Sequence, residues 1–192
     1  MQVDIFSTDK KYNIIYADPP WSYNDRGCNG AAAAQYQTMK ISDIEKIPVR
    51  DIAEKDCVLF MWATYPKIEE ALQLIKAWGF HYKTIGFQWV KLNRSGIGYF
   101  WGLGRWTRGN TEPCLIAIKG KPKRASADVK QLVFAPLGKH SQKPHIVRER
   151  IMKLMGGGTA IELFARKAVP GWDCWGNEIP EGEEKERTPC ET

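Results

Sequence analysis

The sequence lacks the residue patterns that staple small secreted or metal-bound domains. Its five cysteines, Cys28, Cys57, Cys114, Cys174 and Cys190, are odd in number, and no two sit at C-x-x-C spacing. This argues against a disulfide framework and against a zinc ribbon. The three histidines, His81, His140 and His145, do not group with them as metal ligands, so no metal is expected. No apolar run is long enough to span a bilayer and no signal peptide opens the chain, which leaves a cytoplasmic setting as the expectation. Gly96, Gly98, Gly102 and Gly104 do not form a dinucleotide fingerprint. Gly156-Gly157-Gly158 follows a helical stretch where a phosphate loop would precede one, so it reads as a helix C-cap.

What is present begins with charge. The net charge of +6 is unevenly spread: between Lys83 and Arg150 stand fourteen Lys or Arg and three acids. A basic middle of this kind suits a polyanionic partner such as nucleic acid, or is simply a solvated face. The last residues are acidic. The 192 residues suggest one domain over 1–180 followed by an acidic, disordered tail over 181–192.

Asn13–Ala17 and Cys57–Trp62 are short continuous apolar runs, the pattern of strands buried on both faces of an α/β sheet. Ile68, Ala71, Leu72 and Ile75 form one helical stripe, with Pro66 before it and Gly79 after it. Strands are expected at Thr84–Lys91, Cys114–Lys119, Ala160–Phe164 and Trp172–Trp175, and a second helix over Lys143–Met155. Alternating strands and helices predict a largely parallel sheet covered on both faces. Two long segments, Asn24–Thr38 and Arg94–Asn110, fit neither element type. In the second, Trp101, Arg105, Trp106 and Arg108 suit a nucleic-acid contact loop, or a loop whose aromatics tuck into the core.

The tetrapeptide Asp18-Pro19-Pro20-Trp21 ends the first apolar run. Proline offers no backbone donor, so a central strand stops there, and ligands of open α/β sheets bind beyond such strand ends. A carboxylate (Asp18) beside a fixed carbonyl (Pro19) can accept both N–H groups of an exocyclic amine. That would favour the tetrahedral geometry and positive charge the amine develops as it attacks a methyl donor. Trp21 would stack on an extruded base. The competing reading is a strand-ending turn with an ordinary core tryptophan.

Asp18-Pro19-Pro20-Trp21 preceded by I-I-Y-A resembles the adenine-N6 methyltransferases of the MT-A seventy family. So do, in order, Tyr36-Gln37-Thr38-Met39, Leu59-Phe60-Met61-Trp62, Trp89-Val90-Lys91, Gly104-Arg105-Trp106 through Glu112-Pro113-Cys114-Leu115, Ser141-x-Lys143-Pro144, Glu162-Leu163-Phe164-Ala165-Arg166 and Gly176-Asn177-Glu178. The resemblance implies a Rossmann-like fold dependent on S-adenosylmethionine, with the catalytic motif ahead of the cofactor motif. It places Lys143 on the methionine carboxylate of the cofactor and Arg166, Asn177 and Glu178 on its ribose. Glu162 and Phe164 would lie at the strand end beneath the cofactor, with Asp4-Ile5 near its adenine. Tyr36 would lie on a gate over the target adenine. Arg105, Trp106, Arg108 and Glu112 would meet the substrate. A homodimer or a related partner subunit is possible by the same analogy. Two departures stand out: Glu178 replaces an amide, and Ala168-Val169 replaces a His-Asn pair. DNA is favoured as substrate over RNA; the rival from another class is an inactive nucleic-acid-binding partner.

Overall fold

The computed structural model describes residues 1–22, 38–104, 106–138 and 142–179. Its strands are β1 (Tyr12–Ala17), β2 (Ala53–Trp62), β3 (His81–Leu92), β4 (Thr111–Lys119), β5 (Leu132–Pro136), β6 (Ala160–Leu163) and β7 (Asp173–Trp175). Its α-helices are α1 (Ile41–Ile44), α2 (Val49–Ile52), α3 (Ile68–Ala77) and α4 (Ile146–Met155). The strands make one sheet in the order β5-β3-β4-β2-β1-β6-β7. β1 runs parallel to β2 and β6, and β7 parallel to β6. β4 alone opposes its neighbours, β2 and β3. The expected mostly parallel α/β sheet is what forms, with one reversed strand.

Both faces are covered, which explains the unbroken apolar runs. Ile15 and Ala17 of β1 and Leu59 and Met61 of β2 pack with Ala71, Leu74 and Ile75 of α3 and with Ile44, Val49 and Ile52 of the two short helices. The alternate residues, Ile14, Tyr16, Val58, Phe60 and Trp62, face Val147 and Ile151 of α4. The Trp78 indole N–H donates to the Ile44 carbonyl at 3.2 Å, which ties the end of α3 to α1. α4 closes on Gly156 in the left-handed conformation (φ 73°), with the Gly157 N–H bonded to the Met152 carbonyl at 3.0 Å. That is the cap the glycine run suggested.

Three elements go beyond the sequence reading. α1 and α2 have four residues each, too few to display a helical stripe. β5 is an edge strand with one fully buried residue, Val133, and it ends on Pro136. α4 also begins three residues later than expected, at Ile146, after a turn in which the Val147 N–H donates to the Pro144 carbonyl.

Candidate active site

A cavity of about 590 Å³ opens where the parallel strands end. Asp18 follows β1, Phe164 follows β6, Gly176 follows β7, and Thr64 lies two residues past β2; all four line it. Open α/β sheets offer ligands this edge.

Asp18 is placed by a braced turn. The Trp21 N–H donates to the Pro19 carbonyl at 2.9 Å and the Met39 N–H to the Pro20 carbonyl at 3.0 Å. The Trp21 indole N–H donates to the Trp62 carbonyl at 3.2 Å, and its ring is 5% exposed. Among the described residues this is the one backbone donor to the Pro19 carbonyl, whose second lone pair can accept another. The Asp18 side chain keeps 23% of its surface exposed.

Four charges alternate in sign along one wall. Lys143 lies 2.8 Å from Asp18 and 3.2 Å from Glu112, and Glu112 lies 2.8 Å from Lys91. Lys143 also sits 5.7 Å from the centre of the Trp62 ring. Burial pushes the Asp18 carboxyl above its ordinary value; Lys143 opposes that rise and Glu112 adds to it. For Glu112 burial pushes the same way, but Lys143 and Lys91 outweigh it and hold the carboxyl below its usual range. Burial would neutralise Lys143, yet Asp18 and Glu112 overcome it and keep the ammonium charged.

The opposite wall comes from β6 and β7. Phe164 has φ 60°, a conformation that costs a non-glycine residue energy and clusters at functional sites. The Ala165 N–H donates to the Trp175 carbonyl at 2.9 Å, and a Cβ on Gly176 would collide with the Ala165 backbone. The close approach explains a glycine before Asn177 and Glu178. Arg166 and Glu178 form an ion pair at 3.6 Å.

Below lies a second cavity of about 320 Å³ that shares Asp18, Lys143, Phe164, Arg166 and Glu178 and adds Arg148 and Glu162. Arg148 grips Glu162 with two bonds, Nε to Oε2 at 2.7 Å and Nη2 to Oε1 at 2.5 Å. Its guanidinium lies 5.4 Å from the centre of the Tyr16 ring, and the Tyr16 hydroxyl accepts the Trp62 indole N–H at 2.6 Å. A continuous buried chain therefore runs from Glu162 through Arg148, Tyr16 and Trp62 to Trp21.

Comparison with known proteins adds the ancestry. The MT-A70 family model matches residues 12–178, from the start of β1 to the cavity wall at Glu178. The chain belongs to the MT-A70 family. It is 37% identical over 192 residues to the type II methyltransferase M.MunI of a Mycoplasma species, covering 90% of this chain and 79% of that protein. It is 27% identical to the mouse N(6)-adenine-specific methyltransferase METTL4 over 91% of this chain and 39% of that protein. It is 26% identical to the human N(6)-adenosine-methyltransferase catalytic subunit METTL3 over 88% of this chain. The chain spans only 28% of METTL3.

As an MT-A70 domain, the chain brings most of its expected site residues together. Asp18, Pro19, Pro20, Trp21, Glu112, Lys143, Phe164, Arg166, Asn177 and Glu178 all line the larger cavity. Glu162 does not; it faces the smaller one, engaged by Arg148. Asp4 and Ile5 lie outside both linings: Ile5 is core at 2% exposure, and the Asp4 carboxylate accepts from the Phe6 N–H and the Ser7 hydroxyl of its own turn. Trp106 and Arg108 are exposed and line neither cavity. The loop aromatics Tyr99, Trp101 and Trp106 point outward, so the core-packed alternative for them does not hold. Trp21 is more enclosed than a stacking platform requires, because its indole N–H is spent on the Trp62 carbonyl. Tyr36, Arg105 and the tail 181–192 lie outside the described residues. The sequence reading assigned no role to Arg148 or Lys91. A cation beside Val147 and three residues before Ile151, on the apolar side of a helix, was the available signal for Arg148.

Proposed function

We propose that this MT-A70 methyltransferase transfers a methyl group from S-adenosylmethionine to the exocyclic N6 amine of adenine in DNA. The observation that carries the reading is Asp18, held by the double-proline turn at the end of β1, partly open to the cavity and 2.8 Å from Lys143.

The cavity suits the cofactor in size and donors. Its volume, about 590 Å³, lies within the range of small-molecule sites. Asn177, Glu178 and Arg166 offer polar groups for ribose hydroxyls on one wall, and Lys143 offers a cation for a carboxylate. When bound, the cofactor supplies an electrophilic sulfonium methyl. The chain's part is positioning and charge. Asp18 accepts one N–H of the amine, and the free lone pair of the Pro19 carbonyl accepts the other. The amine nitrogen then turns its lone pair toward the methyl carbon. Positive charge that would grow on that nitrogen during methyl transfer would lie beside the Asp18 carboxylate. The surplus proton leaves after transfer, so Asp18 need not be a strong base. Lys143 would offer its charge to the cofactor carboxylate from its place between Asp18 and Glu112.

DNA is favoured because likeness to the type II methyltransferase is both higher and spread over most of that protein. The relatives named for adenine or adenosine are 26–27% identical, and the chain spans less than half of each. Label transfer from methyl-labelled S-adenosylmethionine to matched DNA and RNA, with Asp18→Ala alongside, tests both points. N6 label on DNA, lost in the variant, is expected. Label on RNA alone would reassign the substrate. Cofactor binding without label would point to a missing partner subunit or target sequence, and no cofactor binding would end the enzyme reading.

A further inference from the structure

The segment between β3 and β4 has a structure that methyl transfer does not use. Its roots, Lys91 and Glu112, both stand in the cavity wall. From there the chain folds back on itself. The Phe100 N–H donates to the Lys91 carbonyl at 2.9 Å, and Tyr99 bridges Leu92. The Asn110 side-chain amide donates to the carbonyls of Lys91 and Phe100. Further out, the Gly102 N–H donates to the Gly109 carbonyl at 2.7 Å. At the tip a Cβ on Gly104 would strike the Thr107 carbonyl, so the two arms meet with no room for a side chain. The result is a two-armed finger rooted at the rim of the site. From Phe100 to Trp106 it can extend by up to about 20 Å.

The finger turns its apolar side chains outward. Trp106 is 99% exposed, Leu103 82% and Ile97 80%, with Trp101 at 60% and Tyr99 at 52%. Such a bare row marks a contact surface. Its chemistry decides the partner. Residues 93–110 include three arginines, Arg94, Arg105 and Arg108, and no acid. The centre of a protein interface is depleted of charge, whereas aromatics interleaved with arginines fit stacked bases and phosphates.

We propose that this finger is a wedge for double-stranded DNA: Trp106, with Leu103 beside it, enters the base stack and fills the gap left when the target adenine is drawn into the cavity. The inference rests on the adenine-methylation reading above. Duplex enzymes that work on one base must extrude it, and inserted apolar side chains offset the lost stacking. A finger rooted at the cavity wall would have its tip within reach of a duplex held at that cavity.

Two measurements test this. In the first, label transfer is compared on unmethylated duplex DNA of mixed sequence and on the same DNA as separated strands. Trp106→Ala should lower kcat/KM on the duplex about tenfold or more beyond any loss on single strands, the effect of one stacked aromatic. Trp106→Phe should restore most of it. Equal losses on both forms, or none on the duplex, would overturn the wedge. The second measurement needs no methylation. The wild-type protein should bind a duplex with one abasic site more tightly than the intact duplex, because the gap is already open, and Trp106→Ala should erase that preference. A wild-type protein indifferent to the gap overturns the wedge even if it methylates DNA. A gap preference without methylation supports the wedge and rejects the adenine reading. If Trp106→Ala instead converts a dimer to a monomer in sedimentation, the finger is a contact between copies of the chain and the wedge is wrong.

Discussion

Lys143 and Trp106 invert the usual rule of burial in opposite directions. The lysine side chain is 7% exposed and the tryptophan 99%. A buried ammonium persists because Asp18 and Glu112 flank it, and the indole stands bare because no described residue covers it. The first belongs to a floor in which each charge faces one of opposite sign, the second to a finger folded back on itself by backbone hydrogen bonds and by the side chains of Asn93 and Asn110. Floors of this kind fix geometry; fingers of this kind meet partners. Buried polar groups and exposed large apolar ones are the informative exceptions in a folded chain, and here one stands in the cavity wall and the other on a finger rooted there.

The contrast can be broken from either side, and the floor should break hardest. Arg148→Met strands Glu162 without its cation, so chemical denaturation should show a loss of about 3–5 kcal/mol. Arg148→Met with Glu162→Gln together should recover much of that, since no lone charge is left. Asp18→Ala should leave the fold intact by circular dichroism and lower the rate of methyl transfer about a hundredfold or more. Trp21→Phe orphans the Trp62 carbonyl, a cost of about 1–3 kcal/mol that a melting curve would register. A smaller effect should come from Glu112→Gln. Glu112 pushes the Asp18 carboxyl upward, and Asp18 works deprotonated. Activity therefore falls as pH drops through a value above the usual 3.8 for Asp. With the negative neighbour gone, that acid limb should move to lower pH. The finger should show the least effect on folding: Trp106→Ala should change stability by no more than about 0.5 kcal/mol in the same denaturation assay.

The sequence was most readable where one residue type has one structural meaning. Pro19-Pro20 ends a strand, Gly79 and Gly156 close helices, and the runs at Asn13–Ala17 and Cys57–Trp62 are strands buried on both faces. The cavity lining followed from the ordered motifs. What escaped reading were pairings across the fold. Nothing in the spacing of Arg148 and Glu162 announces that α4 and β6 bring them within 2.5 Å. Lys91 closes the Trp89-Val90-Lys91 motif, but the sequence does not show its partner; the β3–β4 pairing, which sets Trp89 against Glu112, makes it part of the site wall. Trp21 and Trp106 read alike as aromatics near a ligand. Burial separates them, and burial is a property of the fold.

The reversed strand has a further consequence. Because β4 returns beside β3, the residues between them leave the sheet and re-enter it at adjacent points. A parallel pair would have required a crossover of a dozen or more residues, usually a helix packed on the sheet. Here the connecting stretch can be lengthened, shortened or traded between lineages while every strand keeps its partners. Descendants of such a scaffold could change what this segment meets without altering the sheet that carries the site. A graft of this segment from one relative onto another should therefore leave the strand pairings of the host as they are.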